Sequence, residues 1–297
     1  LLTNVSLAFS NNEFVALKVY PEIPVSKQSD KWLIYSKDRM RVRDDHRRPG
    51  AEANDYDWTL SSDQYFADSH AMRGTLPDEW KNNADPILAD MDVDLTEQLT
   101  ENVGLIQEVN LVTSLVANAQ TVSEAGTKWD NNANDPIALI DAQKEVVMKG
   151  CGKLPNKMLL SRPVFRALRN NANVVGRVTG AQSLDKANVT AAQLAAVLEV
   201  DEVIVADAVK LTSAEGQTDT MDFVWGKLAA LFYRPPSPGK RTVAWGYTMN
   251  WNIGMNGRLV YRFPEPKRHS DLIETQVYYD QKEVAHGAGI LFSNCVT

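Results

Sequence analysis

Nine apolar residues, Leu88, Met91, Leu95, Leu99, Val103, Ile106, Val109, Val112 and Val116, follow one another at steps of three or four. That spacing keeps them on one side of a 3.6-residue helix and predicts a single long amphipathic element. Asp85 is placed to cap its first amides, Pro86 fits the first helical position, and the pattern runs to Asn118. At about 1.5 Å per residue such a helix is about 50 Å long, beyond the usual length of about three or four turns. Each Leu or Val buried along the stripe contributes about 1.5 to 3 kcal/mol, so the rest of the chain has to cover it. Gly104, which costs about 1 kcal/mol inside a helix, is expected to mark a bend.

What surrounds this helix differs on its two sides. Residues 1–28 mix polar and apolar side chains and contain Tyr20-Pro21 and Ile23-Pro24, where proline favours extended backbone before it; they are read as an extended arm. Residues 31–35 and 56–60 have strand composition and flank a charged tract, 39–55, with Pro49-Gly50 inside it. This describes a long two-stranded arm with a polar tip. An isolated hairpin is marginal in water, so its support is expected from elsewhere, in the first place from a neighbouring subunit.

Beyond the helix, Asp135-Pro136 repeats the same punctuation and opens a second helix that runs to Gly150. A strand at 157–160, helices at 162–170 and 190–198 and a buried strand at 203–206 then make a compact α/β unit. The stretches 223–233, 243–251, 258–263, 272–279 and 289–292 are rich in β-branched and aromatic residues and are read as strands, with a proline-rich loop at 234–239 between them. The fold class is therefore α+β, without internal repeats.

Composition excludes more than it assigns. Hydrophobic residues at 44% of 297 can fill a large core, and a formal charge of -7 without a terminal basic tail argues against a protein built to grip nucleic-acid phosphates. No long apolar run suggests a membrane partner, and residues 1–10 lack the pattern of a secretion signal. A start at Leu1 leaves two readings open, an upstream piece removed or one simply not included. Cys151 and Cys295 stand far apart and are read as buried thiols, not as a disulfide framework or zinc site.

No local motif carries catalysis. Asp90, Asp92, Asp94 and Glu101 echo the ligand spacing of a calcium loop, but Leu95 stands where its turn glycine belongs, so a solvated helix face is preferred. The four histidines have no metal-site spacing. Gly150-Cys151-Gly152-Lys153 lacks the rest of a phosphate loop, and Gly287-Ala288-Gly289 lacks the third glycine of a dinucleotide fingerprint. Accordingly no catalytic, cofactor-binding or metal-binding residue is assigned. The strongest charge feature is the tract 37–48, where Arg39, Arg41, Arg43, Arg47 and Arg48 alternate with Asp38, Asp44 and Asp45. Interleaved carboxylates dilute its positive field, so ion pairing between subunits is preferred to nucleic-acid binding, with a solvated loop as the third reading.

The order of arm, charged hairpin, long helix, α/β unit and closing strands resembles the tailed-phage major capsid proteins of the HK-ninety-seven-like fold. Local stretches are similar too: Asn12-Glu13-Phe14-Val15-Ala16 running into Val19-Tyr20-Pro21-Glu22-Ile23-Pro24-Val25, then Arg48-Pro49-Gly50-Ala51 and Leu60-Ser61-Ser62-Asp63-Gln64-Tyr65. The resemblance spans nearly the whole chain. It implies an N-terminal arm at 1–26, an extended loop at 27–81 lying on a neighbour, a spine helix at 82–129, an axial domain at 130–257 and peripheral-domain strands at 258–297. It further implies a non-enzymatic shell protein that joins itself in hexamers and pentamers to form an icosahedral or prolate head. Portal, scaffolding or decoration proteins and non-specifically packaged double-stranded DNA would be its partners, the virion its location and the host cytoplasm its place of assembly. Arg39, Arg41, Arg43, Arg47, Arg48, Trp58, Arg234 and Lys240 are the expected intersubunit contacts. No long helical scaffolding segment precedes the arm, and no lysine and asparagine for covalent cross-linking are identified. An encapsulin-type nanocompartment shell is the alternative, and an enzyme built on the α/β unit a more distant one.

Overall fold

The computed structural model describes residues 14–35, 37–55, 60–83, 91–179, 189–239, 242–253 and 257–297. In chain order the first half comprises helix α1 (Ala16–Val19), strands β1 (Glu22–Val25), β2 (Ser29–Tyr35), β3 (Leu60–Phe66) and β4 (Asp68–Pro77), and helices α2 (Asp78–Asn82) and α3 (Met91–Asn118). The middle holds β5 (Thr121–Ser123), α4 (Pro136–Cys151), β6 (Lys157–Ser161), α5 (Arg162–Asn170), α6 (Ala172–Thr179), α7 (Ala191–Val197) and β7 (Glu202–Ala206). Strands β8 (Val209–Leu211), β9 (Met221–Phe223), β10 (Ala229–Phe232), β11 (Gly246–Trp251), β12 (Arg258–Glu265), β13 (Ser270–Glu283) and β14 (Gly289–Ser293) complete it.

Two five-stranded sheets organise the molecule. One runs β5-β14-β10-β6-β7; the other runs β1-β11-β13-β12, with β4 also pairing β13. The first is buried on both faces. Ala229 and Leu231 of β10 face a core shared with Ile137, Ile140, Leu168 and Leu194 of the helices, while Ala230 and Phe232 face one shared with Val15, Leu111 and Leu115. This is why β10, with all four residues buried, and β6 appear in the sequence as unbroken apolar runs without alternation. Strand β13 of the second sheet alternates: Ile273, Thr275, Val277 and Tyr279 are buried and their neighbours half-buried.

Helix α3 joins the two sheets. Its buried residues are Thr96, Leu99, Thr100, Val103, Glu108, Leu111 and Leu115. Leu99, Val103, Leu111 and Leu115 lie at multiples of four, and each step of four carries the buried face about 40° around the axis. Val103 thus meets Val277, Tyr279 and Met72 of the second sheet, whereas Leu111 and Leu115 meet Leu159, Ala230 and Leu291 of the first. The expected stripe holds at Leu99 and Val103 but fails further on, where Ile106 and Val116 are 37% and 56% exposed. A helix serving two sheets on different sides cannot bury one straight stripe. The Asp85-Pro86 start and Leu88 lie outside the described residues. Gly104 does not break the helix; a Cβ there would stand 2.8 Å from Cε2 of Phe14, so the glycine makes room for that ring.

Local signals were accurate in the α/β unit. Asp135 caps α4 by accepting from the amides of Ile137 and Ala138 at 3.1 and 3.3 Å, Pro136 sits in its first turn, and Gly152 ends it in the left-handed region at φ 72°. Thr190 and Gln193 form a capping box on α7. Other expectations are corrected. The arm is not extended throughout, since Ala16–Val19 form a helical turn. Among the described residues the second hairpin strand runs Leu60–Phe66; residues 56–59 of the expected strand lie outside them. Each sheet draws strands from distant parts of the chain: β4 and β11 pair with β13, while β14 pairs with β5 and β10.

Gly150 and Gly287, each part of an incomplete nucleotide motif, touch each other. A Cβ on Gly150 would lie 2.5 Å from the Gly287 carbonyl oxygen, and one on Gly289 would enter the Trp245 ring. Both cysteines are free; Cys295 is buried and Cys151 half-buried.

Candidate assembly surface

Strands β2 and β3 pair in antiparallel register from Ser29↔Phe66 to Tyr35↔Leu60. The root of this hairpin is fixed to its own chain. Trp32 and Tyr65 stack with ring centroids 6.5 Å apart and join Ile23, Val25, Tyr247 and Met249 in a small apolar cluster. The Tyr65 hydroxyl donates to the Lys27 carbonyl at 3.1 Å, and the Phe66 amide donates to Asp280 of β13 at 2.9 Å. Further out, a 3-10 turn at Lys37–Met40 brings Met40 against Gly152 at the end of α4. The expectation that residues 27–81 find no support within their own chain is therefore corrected: the root is anchored by two buried aromatic rings, and Met40, itself 52% exposed, adds one contact further out.

The tip is another matter. Every residue from 41 to 55 is exposed. Its turn is local chemistry: the Ala51 amide donates to the Arg48 carbonyl at 3.1 Å, with Pro49 and Gly50 between them and Gly50 at φ 81°. These are the proline and glycine positions of a type II turn. Arg47 Nε donates to the Ala51 carbonyl, and Asn54 donates to the Asp44 carbonyl at 2.7 Å. Arg41, Arg43, Arg47 and Arg48 share this stretch with Asp44, Asp45, Glu52 and Asp55, four charges of each sign. Such a surface has little net field with which to hold a polyanion but many geometric partners for a second charged protein surface.

The remaining expected contact residues are scattered. Arg39 contributes its backbone to the 3-10 turn, and its side chain is outside the described residues, as are Trp58 and Lys240. Arg234 is engaged inside the subunit: its guanidinium donates to the Lys18 carbonyl at 2.8 Å and its amide to Asn156 Oδ1 at 2.8 Å. Pro236, Ser237 and Pro238 are the exposed residues of that loop.

Two polar clusters that no sequence spacing marks tie distant segments of the subunit together. Glu108, fully buried, accepts hydrogen bonds from the amides of Val15 and Ala16 at 3.0 and 2.6 Å and from the Trp225 indole. Burial pushes its carboxyl above the ordinary range, and the three donors partly offset that. No spacing marks this glutamate, which sits among ordinary helical acids. The second cluster is a ring of four charges, in which Lys81 and Arg262 each bridge Asp92 and Asp271. It ties α2, α3, β12 and β13 together, so Asp92 serves an ion pair; among the described residues no three His, Cys, Asp or Glu side chains gather as a metal site.

No family model matches the chain. Curated relatives do. A major capsid protein of Pseudomonas phage JBD67 is 25% identical over 269 residues, covering 87% of this chain and 84% of the relative. A major capsid protein of Burkholderia phage BcepMu is 23% identical over 262 residues, covering 84% and 82%. The crystal structure of a phage-related protein from Bordetella bronchiseptica RB50 superimposes with a TM-score of 0.76 at 21% identity, covering 99% of this chain and 96% of that one. The mature capsid of bacteriophage PhiM1 gives 0.58 at 12% identity, and an encapsulin from Synechococcus elongatus PCC 7942 gives 0.61 at 12%. Fold and curated relatives point the same way: the chain is similar to phage major capsid proteins, and its architecture is consistent with the HK-ninety-seven-like fold.

Proposed function

We propose that copies of this chain, grouped in hexamers and pentamers, close into the icosahedral or prolate head of a tailed phage around its double-stranded DNA, with each hairpin tip lying across a neighbour. One observation carries the role of the tip: residues 41–55 are wholly exposed and carry balanced charge, while the hairpin root is anchored in the subunit. An anchored root with an uncovered tip is a reaching arm, and many modest contacts repeated around a closed lattice multiply into a stable container. In this reading 1–26 is the arm, 27–81 the extended loop, 82–129 the spine, 130–257 the axial domain and 258–297 the returning strands. The exposed Pro236–Pro238 point then faces the capsomer centre. The portal, scaffolding or decoration proteins are further partners, and assembly takes place in the host cytoplasm.

The curated relatives favour a genome container over an enzyme-holding compartment. Electron microscopy of particles from the native source tests this. Closed shells with one portal vertex and nuclease-protected duplex DNA are expected. Shells filled with a protein cargo would transfer the chain to the compartment reading, and a chain that stays monomeric under all assembly conditions would refute both.

A further inference from the structure

Strands β8 and β9 pair only with each other and form a two-stranded ribbon that follows β7. Its root is firm: the Val224 amide donates to the Ala208 carbonyl at 2.9 Å, and both residues are buried. Its far end is closed by the Thr212 amide, which donates to the Thr220 carbonyl at 2.8 Å, and by a turn in which Gly216 takes φ 82°. The register sets Val209 opposite Phe223 and Leu211 opposite Met221. Alternation along each strand puts these four apolar residues on one face and Lys210 and Asp222 on the other. The outer half of the apolar face lies open, Leu211 and Met221 being 53% and 60% exposed. Beyond it the rim is acidic, with Glu215 and Asp219 exposed and no Lys or Arg from 211 to 226. An apolar face with a polar rim, held open on a rooted ribbon, marks a contact surface.

A surface of matching character lies at the opposite end of the same α/β unit. Met148 in the last turn of α4 and Leu154 just after it are more than half exposed. Lys149, bridged to Glu145 at 3.0 Å, and Lys153 are exposed beside them in the chain. Leu154 precedes the first residue of β6 by three positions, and Val209 follows the last residue of β7 by three. Because β6 and β7 pair in parallel, Lys157 with Glu202 and Ser161 with Ala206, the two surfaces stand at opposite ends of these strands.

We propose that the β8–β9 ribbon of one copy docks on the α4 end of the next, with Leu211 and Met221 against Met148 and Leu154, and Glu215 and Asp219 facing Lys149 and Lys153. The inference rests on the reading of the chain as a self-assembling shell subunit and names one contact within a capsomer. Apolar side chains meet apolar ones and carboxylates meet ammonium groups, which selects a second copy as the occupant. Two different surfaces at opposite ends make the contact head-to-tail. A rotation closes that geometry into a ring, whereas a face that met itself would stop at a pair.

Charge exchange in the whole chain tests the contact, with assembly read by sedimentation and electron microscopy. Glu215→Lys with Asp219→Lys should weaken association between copies by about tenfold or more, because like charges then face each other. Lys149→Glu with Lys153→Glu should do the same, and the chain carrying all four changes should assemble again. Melting temperatures should stay near wild type, as all four residues are exposed. Normal assembly by either reversed pair, or no recovery in the fourfold variant, overturns the proposal. If ribbon variants assemble normally yet lose a second protein species found in native particles, the face belongs to that protein.

A second measurement does not depend on charge. Leu211→Cys and Leu154→Cys are combined in a Cys151→Ser background, Cys295 being buried, and a short bismaleimide is added to assembled particles. Linked chains in a ladder of multiples are expected, with none from either new cysteine alone. No ladder, links from Leu211→Cys alone, or links confined within one chain each overturn the contact. Failure of the shell reading is distinct: wild-type protein that never assembles refutes both, while shells that form with a reversed ribbon refute the contact alone.

Discussion

Glu108 and Ala16 stand 92 residues apart, yet the carboxylate of one accepts the amide hydrogen of the other at 2.6 Å inside the core. Together with Val15 and Trp225 this makes a buried anion the peg on which the N-terminal segment hangs. Glu108→Gln keeps the shape but replaces one acceptor oxygen by a donor facing backbone amides. We expect a loss of about 1 to 3 kcal/mol in unfolding free energy. We also expect faster proteolysis around residues 14–20. An unchanged denaturation midpoint would show that the amides find other partners.

The pH dependence of Glu108 has an unusual sign. Its carboxyl is raised above 4.5, so the folded state holds its proton more tightly than the unfolded chain does. Its contribution to stability is greatest below 4.5 and is lost as pH rises through the folded value. Asp271 behaves oppositely: hydrogen bonds from Lys81 and Arg262 hold it below 3.8, so its contribution is present above 3.8 and disappears as pH falls through the folded value. Asp271→Asn should flatten the acid limb of the stability profile. Because Arg262 is 47% exposed, solvent screening limits the loss at neutral pH to about 0.5 to 1 kcal/mol. A variant with the wild-type acid limb would remove Asp271 from that limb.

Gly150→Ala tests the contact between two backbones. Alanine favours helix by about 1 kcal/mol, but its Cβ would meet the Gly287 carbonyl at 2.5 Å. Overpacking against main chain costs about 1 to 3 kcal/mol, so the balance should be destabilising. A higher melting temperature for the variant would mean that α4 and the 286–288 turn slide apart freely.

Charge reversal at the tip separates folding from assembly. Arg41→Glu, Arg43→Glu and Arg47→Glu together should leave subunit stability within about 0.5 kcal/mol, since these residues are exposed. Particle yield should fall sharply. Wild-type yield would show that the tip arginines take no part in joining copies.

Elements whose burial is one-sided or complete were legible from the chain alone. The α4 cap at Asp135-Pro136, helix α5 at Arg162–Asn170 and the apolar runs of β6 and β10 follow from local chemistry. Positions that answer to two distant partners were not. Ile106 and Val116 looked like core because the stripe continues through them, but the buried face turns to Leu111 and Leu115 where the second sheet gives way to the first. Trp32, Tyr65 and Met40 give the hairpin intramolecular support that its charge density conceals, since a few large side chains cover much area. Arg234 also binds within its own chain, to the Lys18 carbonyl and Asn156, a pairing that its loop composition does not announce.

The turning face of α3 has a mechanical consequence. A shaft gripped on different sides by two plates cannot roll to suit one plate without loosening its hold on the other. Any force that tilts the β13 sheet is therefore passed along the axis as torque and felt at Leu111 and Leu115. The two cores that α3 touches are therefore coupled through one continuous helix.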